Sequence, residues 1–167
     1  MNTRYEFRNI HPWEYKEAAQ VEKICFPPSE ACTEPIMEQR ARLFSDTFIV
    51  AIEIESGKMV GFVNGMLTDE EVLRDEIFLD VRLHNPSGRN VMIMGVDVLP
   101  GYRGQGIAKE MMRRFVEVQK AAGRKKCILT CVEEKIPMYQ KMGYTDDGPS
   151  ESSWGGEFWH EMHCDLM

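Results

Sequence analysis

The sequence predicts an α+β fold organised around one strand–helix–strand unit, and three observations carry that prediction. Residues 91–99 are almost wholly apolar and rich in β-branched side chains, the composition of a strand buried on both faces, with Asp97 as the one charged residue. The next segment, from about 104 to 122, repeats apolar residues at helical spacing (Ile107, Met111, Phe115, Val118), and Gly123 stands where a helix would stop. Residues 127–132 then form a second apolar run. The 167 residues have the length of one ordinary domain. A hydrophobic share of 43% with 28% charged residues is the balance of a chain that folds.

The flanking elements follow in order. Tyr5 and Phe7 alternate with polar residues, with Ile10 beyond, and predict a first strand. Pro12 fits the first turn of a helix reaching about residue 25, with Ala18, Val21, Ile24 and Cys25 at helical spacing. Phe26-Pro27-Pro28 stops it. Thr33 is placed to cap a second helix with Pro35 in its first turn, running to about 44. Two strands, 47–55 and 59–67, join through a tight turn at Ser56-Gly57. Residues 69–76 are polar and read as a short helix or loop, and Asn85-Pro86-Ser87-Gly88 is a turn. A short helix is expected over 136–142, closed by Gly143, then strands from Tyr144 and over 158–164.

Composition limits the partners. A net charge of −7 argues against nucleic acid. The basic run Arg124-Lys125-Lys126 reads as a solvated helix-to-strand turn. An acidic body suits a cationic partner such as an amine. No apolar run approaches the roughly 20 residues of a membrane span, and the first residues lack the apolar core of a signal peptide. The five cysteines, Cys25, Cys32, Cys127, Cys131 and Cys164, are odd in number and lack C-x-x-C spacing, so reduced thiols and a cytoplasmic location are expected. A homodimer stays open.

The strongest chemical signal is Val96-Asp97-Val98-Leu99-Pro100-Gly101-Tyr102-Arg103-Gly104-Gln105-Gly106-Ile107-Ala108. A buried strand ends, a loop turns and a helix begins. The first amides of a helix have no internal partners and, with the helix dipole, attract an anion. Gly104 and Gly106 let a ligand approach the backbone, and Arg103 can pair with phosphate oxygens. The dinucleotide fingerprint G-x-G-x-x-G does not fit the glycine order here, and the Gly-Lys-Ser/Thr of a P-loop is absent.

What remains resembles the acyl-coenzyme A motif of the GNAT superfamily of N-acetyltransferases, Arg/Gln-x-x-Gly-x-Gly/Ala after a hydrophobic strand. Four further stretches are similar to its arylalkylamine branch: Phe26-Pro27-Pro28-Ser29-Glu30-Ala31, Leu83-His84-Asn85-Pro86-Ser87-Gly88, Pro137-Met138-Tyr139-Gln140-Lys141-Met142-Gly143-Tyr144, and Glu161-Met162-His163-Cys164-Asp165-Leu166. The resemblance implies a twisted, mainly antiparallel sheet flanked by helices, whose parallel fourth and fifth strands splay apart to admit coenzyme A. Pantetheine would pair along residues 94–98 and the pyrophosphate would sit on 103–108. The implied cofactor-binding residues are thus Val96, Asp97, Val98, Arg103, Gly104, Gln105, Gly106, Ile107, Ala108 and Tyr139, with a backbone N–H near Val96 as oxyanion donor. Acetyl-CoA is the implied co-substrate and no metal is expected.

Amine attack on a thioester needs a route for the ammonium proton and an acid for the thiolate. The resemblance makes Tyr139 the acid and Glu30 the base, and assigns Phe26, Pro27, Pro28, Glu30 and His84 to the acceptor side. Against this stand plain readings: Tyr139 as a packing aromatic, Glu30 as a loop carboxylate, His84 as a turn residue, and Asp97 as a structural carboxylate paired with a base. His160, His163 and Cys164 form one compact cluster without a second ligand pair, so metal is not expected there. Cys131 reads as a buried thiol. Related amine acetyltransferases carry two histidines, two residues apart, on the fourth strand; here Met92 and Met94 stand there. The acceptor is then a small primary amine or a peptide amino group. The rivals are a protein or peptide N-acetyltransferase and a catalytically silent acyl-CoA-binding module.

Overall fold

In a computed structural model, which describes residues 4–167, seven strands form one sheet in the order β1-β2-β3-β4-β5-β7-β6. They are β1 (Tyr5–Asn9), β2 (Phe48–Glu53), β3 (Met59–Thr68), β4 (Asn90–Val98), β5 (Lys126–Cys131), β6 (Thr145–Pro149) and β7 (His160–Asp165). Four α-helices complete the chain: α1 (Tyr15–Cys25), α2 (Glu34–Leu43), α3 (Ile107–Ala121) and α4 (Ile136–Lys141). The predicted α+β class and its mainly antiparallel sheet are what the chain adopts. By contacts the chain divides into two compact units, 1–64 with 95–115, and 65–94 with 116–167.

In the first unit, β1 pairs antiparallel with β2 from Tyr5↔Glu53 to Asn9↔Ile49, and β2 with β3 from Phe48↔Asn64 to Ile52↔Met59. The core gathers Ala18, Ala19 and Val21 of α1, Met37 and Ala41 of α2, and Phe48, Val50, Met59 and Phe62 of the strands. Pro12 opens a 3₁₀ turn, and the α-helix proper starts only at Tyr15. Thr33 caps α2 as expected, its hydroxyl accepting from the Ile36 N–H at 3.4 Å. Two details differ from the periodicity. Ile24 is exposed and Glu22 is buried in its stead, while Arg40 lies buried on α2. Helix α3 begins at Ile107, not Gly104, because Gly104 and Gly106 take φ of +81° and +84°.

In the second unit, β4 and β5 run parallel from Asn90↔Lys126 to Met92↔Ile128. No further pair is formed among the described residues, although β4 continues to Val98 and β5 to Cys131. The expected splay is therefore present. Strand β5 pairs antiparallel with β7 over its whole length, and β7 pairs with β6 around an irregularity between Asp146 and Pro149. Val118, placed by spacing on the apolar stripe of α3, is exposed, and Gln119 is buried.

The 83–88 stretch clasps the end of β3. The Leu67 N–H donates to His84 Nδ1 at 3.1 Å, and the Asn85 N–H donates to the Leu67 carbonyl at 2.8 Å. Arg124 donates to the carbonyls of Gly88 and Pro86 at 2.6 and 3.1 Å, so the first residue of the basic run is a structural brace. A Cβ on Gly88 would lie 2.4 Å from the Thr68 nitrogen. Gly88→Ala is therefore expected to cost about 1–3 kcal/mol through forced backbone shifts. Urea unfolding should show a lower midpoint at unchanged slope.

Candidate active site

The cradle lies in the first unit, at the end of β4. The Leu99 N–H pairs with the Val60 carbonyl at 2.8 Å, and the chain then leaves the sheet through a 3₁₀ turn, Pro100–Tyr102. Residues 103–106 are exposed, Ile107 is buried and Ala108 half-buried. The Glu110 N–H donates to the Gly106 carbonyl at 3.0 Å, and the amides that precede it lie at the helix mouth, where a helix has no internal acceptors to offer. A Cβ on Gly104 or Gly106 would meet nothing within 4 Å, so the ligand side is open. Positive φ is required at both, and glycine takes it at no steric cost. An oxyanion at this mouth would meet backbone N–H groups and the positive end of the helix dipole, the chemistry that diphosphates require.

Side chains hold the loop from behind. Arg103 Nε donates to the Val98 carbonyl at 2.9 Å, which orients the guanidinium beside the cradle. Cys25 Sγ donates to the same carbonyl at 3.3 Å. The Tyr5 hydroxyl donates to Gln105 Oε1 at 2.7 Å, and the Tyr102 hydroxyl donates to Glu53 Oε1 at 3.2 Å. Gln105 thus spends its side-chain oxygen on a brace to β1, leaving its backbone for a ligand.

On the other face of β4, Asp97 is 1% exposed. Burial pushes its carboxyl well above the usual carboxylate range; the neighbouring Glu22 charge and hydrogen bond push the same way, Cys25 adds to them, and Arg40 opposes. An added Cβ on Gly95 would lie 3.1 Å from Asp97 Oδ1 and 3.5 Å from Glu22 Oε1, so the two carboxyls flank one spot above the strand. No side-chain or backbone donor satisfies either Asp97 oxygen. Burial and the adjacent Glu22 carboxyl both favour the neutral form of Asp97. Asp97 thus contributes no side chain to a ligand at the strand edge. Its expected pairing with a base is only partly met, because an acid stands closer than Arg40 in effect.

Phe26 and Glu30 are half-buried, and Pro27, Pro28 and Ser29 are exposed. The Glu30 and Ala31 N–H groups both donate to the Pro27 carbonyl, at 2.9 and 3.0 Å. This tight turn places Glu30 on the loop between α1 and α2.

In the second unit, Tyr139 on α4 is 5% exposed and meets the Tyr144 ring edge-on at 6.0 Å. The Tyr144 hydroxyl donates to Cys127 Sγ at 3.2 Å. His84 Nδ1 serves the clasp described above. Met92 is buried in a cluster with Met66, Leu73, Ile77, Phe78 and Ile128, and Met94 packs against it. Met92 therefore fills the core and Met94 packs against its side. His160 and His163 pair with Asp146 and Asp147 at 3.2 and 2.7 Å. No group of metal-binding side chains occurs among the described residues. Cys131 is buried, with its thiol pushed up to about 11 by burial, so it stays protonated at neutral pH. All five cysteines are free. No described helix is long and apolar enough to cross a membrane.

Sequence comparison gives the family. Residues 8–144 match the family model described as Acetyltransferase (GNAT) family. The chain belongs to the GNAT family of acetyltransferases. It is 27% identical over 165 residues to serotonin N-acetyltransferase of Mesocricetus auratus, covering 96% of this chain and 77% of that one. Among solved structures, the loading GNATL domain of CurA from Lyngbya majuscula matches with a TM-score of 0.81 at 14% identity, covering 97% of this chain and 98% of that one. The GphF GNAT-like decarboxylase in complex with isobutyryl-CoA matches with a TM-score of 0.82 at 14% identity, covering 97% and 100%. This GNAT protein is therefore an N-acetyltransferase by family, with the GNAT sheet.

Glu22 and Arg40 were the residues that periodicity passed over. The signal was present: each is a charged residue inside an apolar stripe, Glu22 four residues after Ala18 and Arg40 three after Met37. The Asp97 assignment has a measurable sign. A carboxyl raised in the folded state contributes stability that is full below the unfolded carboxyl range and is lost as pH rises through the folded value. Asp97→Asn keeps a donor to Glu22 without titrating. Its Tm is expected to gain on that of the wild type steadily as pH is raised from 5 to 8 in thermal unfolding; a gap that stays constant with pH would contradict the protonated Asp97.

Proposed function

We propose that this GNAT chain, read as one acetyltransferase domain over residues 1–167, transfers an acetyl group from acetyl-CoA to a small primary amine by direct attack of the neutral amine on the thioester. The observation that carries this reading is the junction at residues 98–108. A buried strand ends, two left-handed glycines turn the chain, and the open amides of α3 face outward beside Arg103. The pyrophosphate fits the backbone of Arg103, Gly104, Gln105, Gly106, Ile107 and Ala108. Pantetheine fits the free edge of β4 at Val96, Asp97 and Val98, where only backbone is needed, in keeping with the buried Asp97 side chain.

One electrostatic role and two proton-handling roles complete the reaction. The N–H near Val96 stabilises the developing oxyanion. Glu30, on the turn after α1, takes the ammonium proton so that the neutral amine can attack. Tyr139 supplies the proton that the departing thiolate needs, after which the amide and the free thiol leave. Phe26, Pro27 and Pro28 with His84 form the acceptor side. The family resemblance supports these roles, as does the turn that holds Glu30. With Met92 and Met94 committed to packing, no histidine pair carries the proton, which puts that duty on Glu30. The net charge of −7 favours a cationic acceptor. A cytoplasmic location follows from the free thiols as part of the same proposal.

The test is thiol release from acetyl-CoA against aryl amines, polyamines, aminoglycosides and peptides. Release with a small amine is the expected result. Tight acetyl-CoA binding with no release for any acceptor would point instead to a silent binding module. With an active acceptor in hand, Tyr139→Phe is expected to lower kcat by about 100-fold, a typical share for a general acid. The acetyl-CoA Kd, measured by calorimetry, should stay within about twofold of wild type, since hydroxyl loss removes no pyrophosphate contact.

A further inference from the structure

Residues 26–32, the loop that joins α1 to α2, are tied at both ends to a single residue. The Phe26 N–H donates to the Glu22 carbonyl at 2.9 Å. The Cys32 N–H, at the far end, donates to Glu22 Oε2 at 2.9 Å. The other carboxylate oxygen, Oε1, lies toward Gly95 and Asp97 of β4. Glu22 is 6% exposed and Asp97 1%, so neither is a surface group, and Arg40 of α2, 2% exposed, is the cation of the cluster.

We propose that Glu22 is a positioning residue for the acceptor: its carboxylate bolts the 26–32 loop to the central strand through Asp97, and so fixes where Glu30 and Phe26 stand when an amine binds. The inference rests on the reading of this loop as the acceptor side.

The chemistry favours this role over simple core filling. A glutamate in a helix stripe of alanine and valine costs desolvation unless each oxygen is used. One oxygen holds a loop amide and the other faces the strand carboxyl, so both are occupied by groups from different elements. The groups facing Asp97 are Glu22 and Cys25 from α1, Cys32 from the loop and Arg40 from α2. The strand β3 brings Gly61 against the Asp97 carbonyl and the Phe62 ring near Gly95, without charge. Burial and the adjacent Glu22 both favour the neutral form of Asp97, while Arg40 opposes, so the two carboxyls can stand side by side over Gly95.

The experiment has two independent readouts. The first is the rate of iodoacetamide alkylation at Cys32, mapped by peptide mass spectrometry and needing no acceptor. The second is the amine KM beside the acetyl-CoA Kd. Glu22→Ala is expected to raise both the Cys32 alkylation rate and the amine KM by about tenfold, the loss of one hydrogen bond to a charged group, and to leave the acetyl-CoA Kd within about twofold. Glu22→Gln keeps an acceptor oxygen for Cys32 and a donor for Asp97. It is expected to restore both values. A Glu22→Gln protein with the amine KM of Glu22→Ala, or a Glu22→Ala protein with unchanged Cys32 alkylation, would overturn the proposal. So would parallel losses in amine and acetyl-CoA binding, which mark a general structural defect. Should the wild type release no thiol with any amine, the acetyltransferase reading fails instead, and Cys32 alkylation still decides the tie.

Discussion

A central strand that carries a carboxyl group on its buried face must neutralise it, and much of the first unit is arranged around that requirement. Asp97 stands on β4 at 1% exposure with no donor from the backbone. An ionised carboxylate there would be costly, and burial pushes the carboxyl well above the usual carboxylate range. Glu22 stands beside it over Gly95. Glu22 in turn needs a cation nearby and a second donor, which brings in Arg40 and the Cys32 N–H. The placement of α1, of α2 and of the loop between them thus answers to one group on β4. Gly95 is part of the same solution, because a side chain there would press on Asp97 Oδ1 at 3.1 Å.

The same strand supplies the cradle, and the two faces of its last turn divide the work. Inward, side chains at 97 and 99 fix the strand in the core. At its end, the Val98 carbonyl takes both Arg103 Nε and Cys25 Sγ, so α1 and the glycine loop share one anchor. Tyr5 and Tyr102 stiffen the loop from β1 and the β2 end. A preformed cradle loses less conformational entropy on binding than one that must be ordered by its ligand. The glycines supply the turn and the hydroxyl braces supply the rigidity, which are separate contributions to one site.

The cradle was legible because its determinants are local. Strand, two glycines and amphipathic helix are contiguous in sequence, and the φ that Gly104 and Gly106 adopt follows from their identity. The boundary error, a helix expected from Gly104 that starts at Ile107, has the same origin, since the glycines serve the turn and not the helix. Thr33 and Pro35 were legible for the same local reason. The Glu22–Asp97–Arg40 cluster was not read, because its members are separated by 57 residues or more between β4 and the helices and each looks like surface in isolation. Val118 and Ile24 failed in the opposite sense: their spacing is right for a buried stripe, but the helix rotation is set by the packing of Phe115, Gln119 and Val21. Periodicity reports a face, and the core chooses which edge of that face it keeps.

The acceptor problem comes down to where a proton can go. An alkylammonium must lose its proton before it attacks, and a strand histidine pair is one way to take it. Met92 packs with Met66, Leu73, Ile77, Phe78 and Ile128, a setting in which an imidazole would be desolvated and hard to charge. The carboxyls at 22 and 97 are no direct substitute, since both Asp97 oxygens are shielded and Glu22 is engaged with Cys32. Glu30 is half-buried and lies on a short turn closed by the Pro27 carbonyl, and the Cys32 N–H at the far end of that loop is held by Glu22. A base on a loop is less precise than one on a strand. A loop tied to a buried helix carboxylate, as the Cys32 N–H is to Glu22, is held more precisely than one left to solvent.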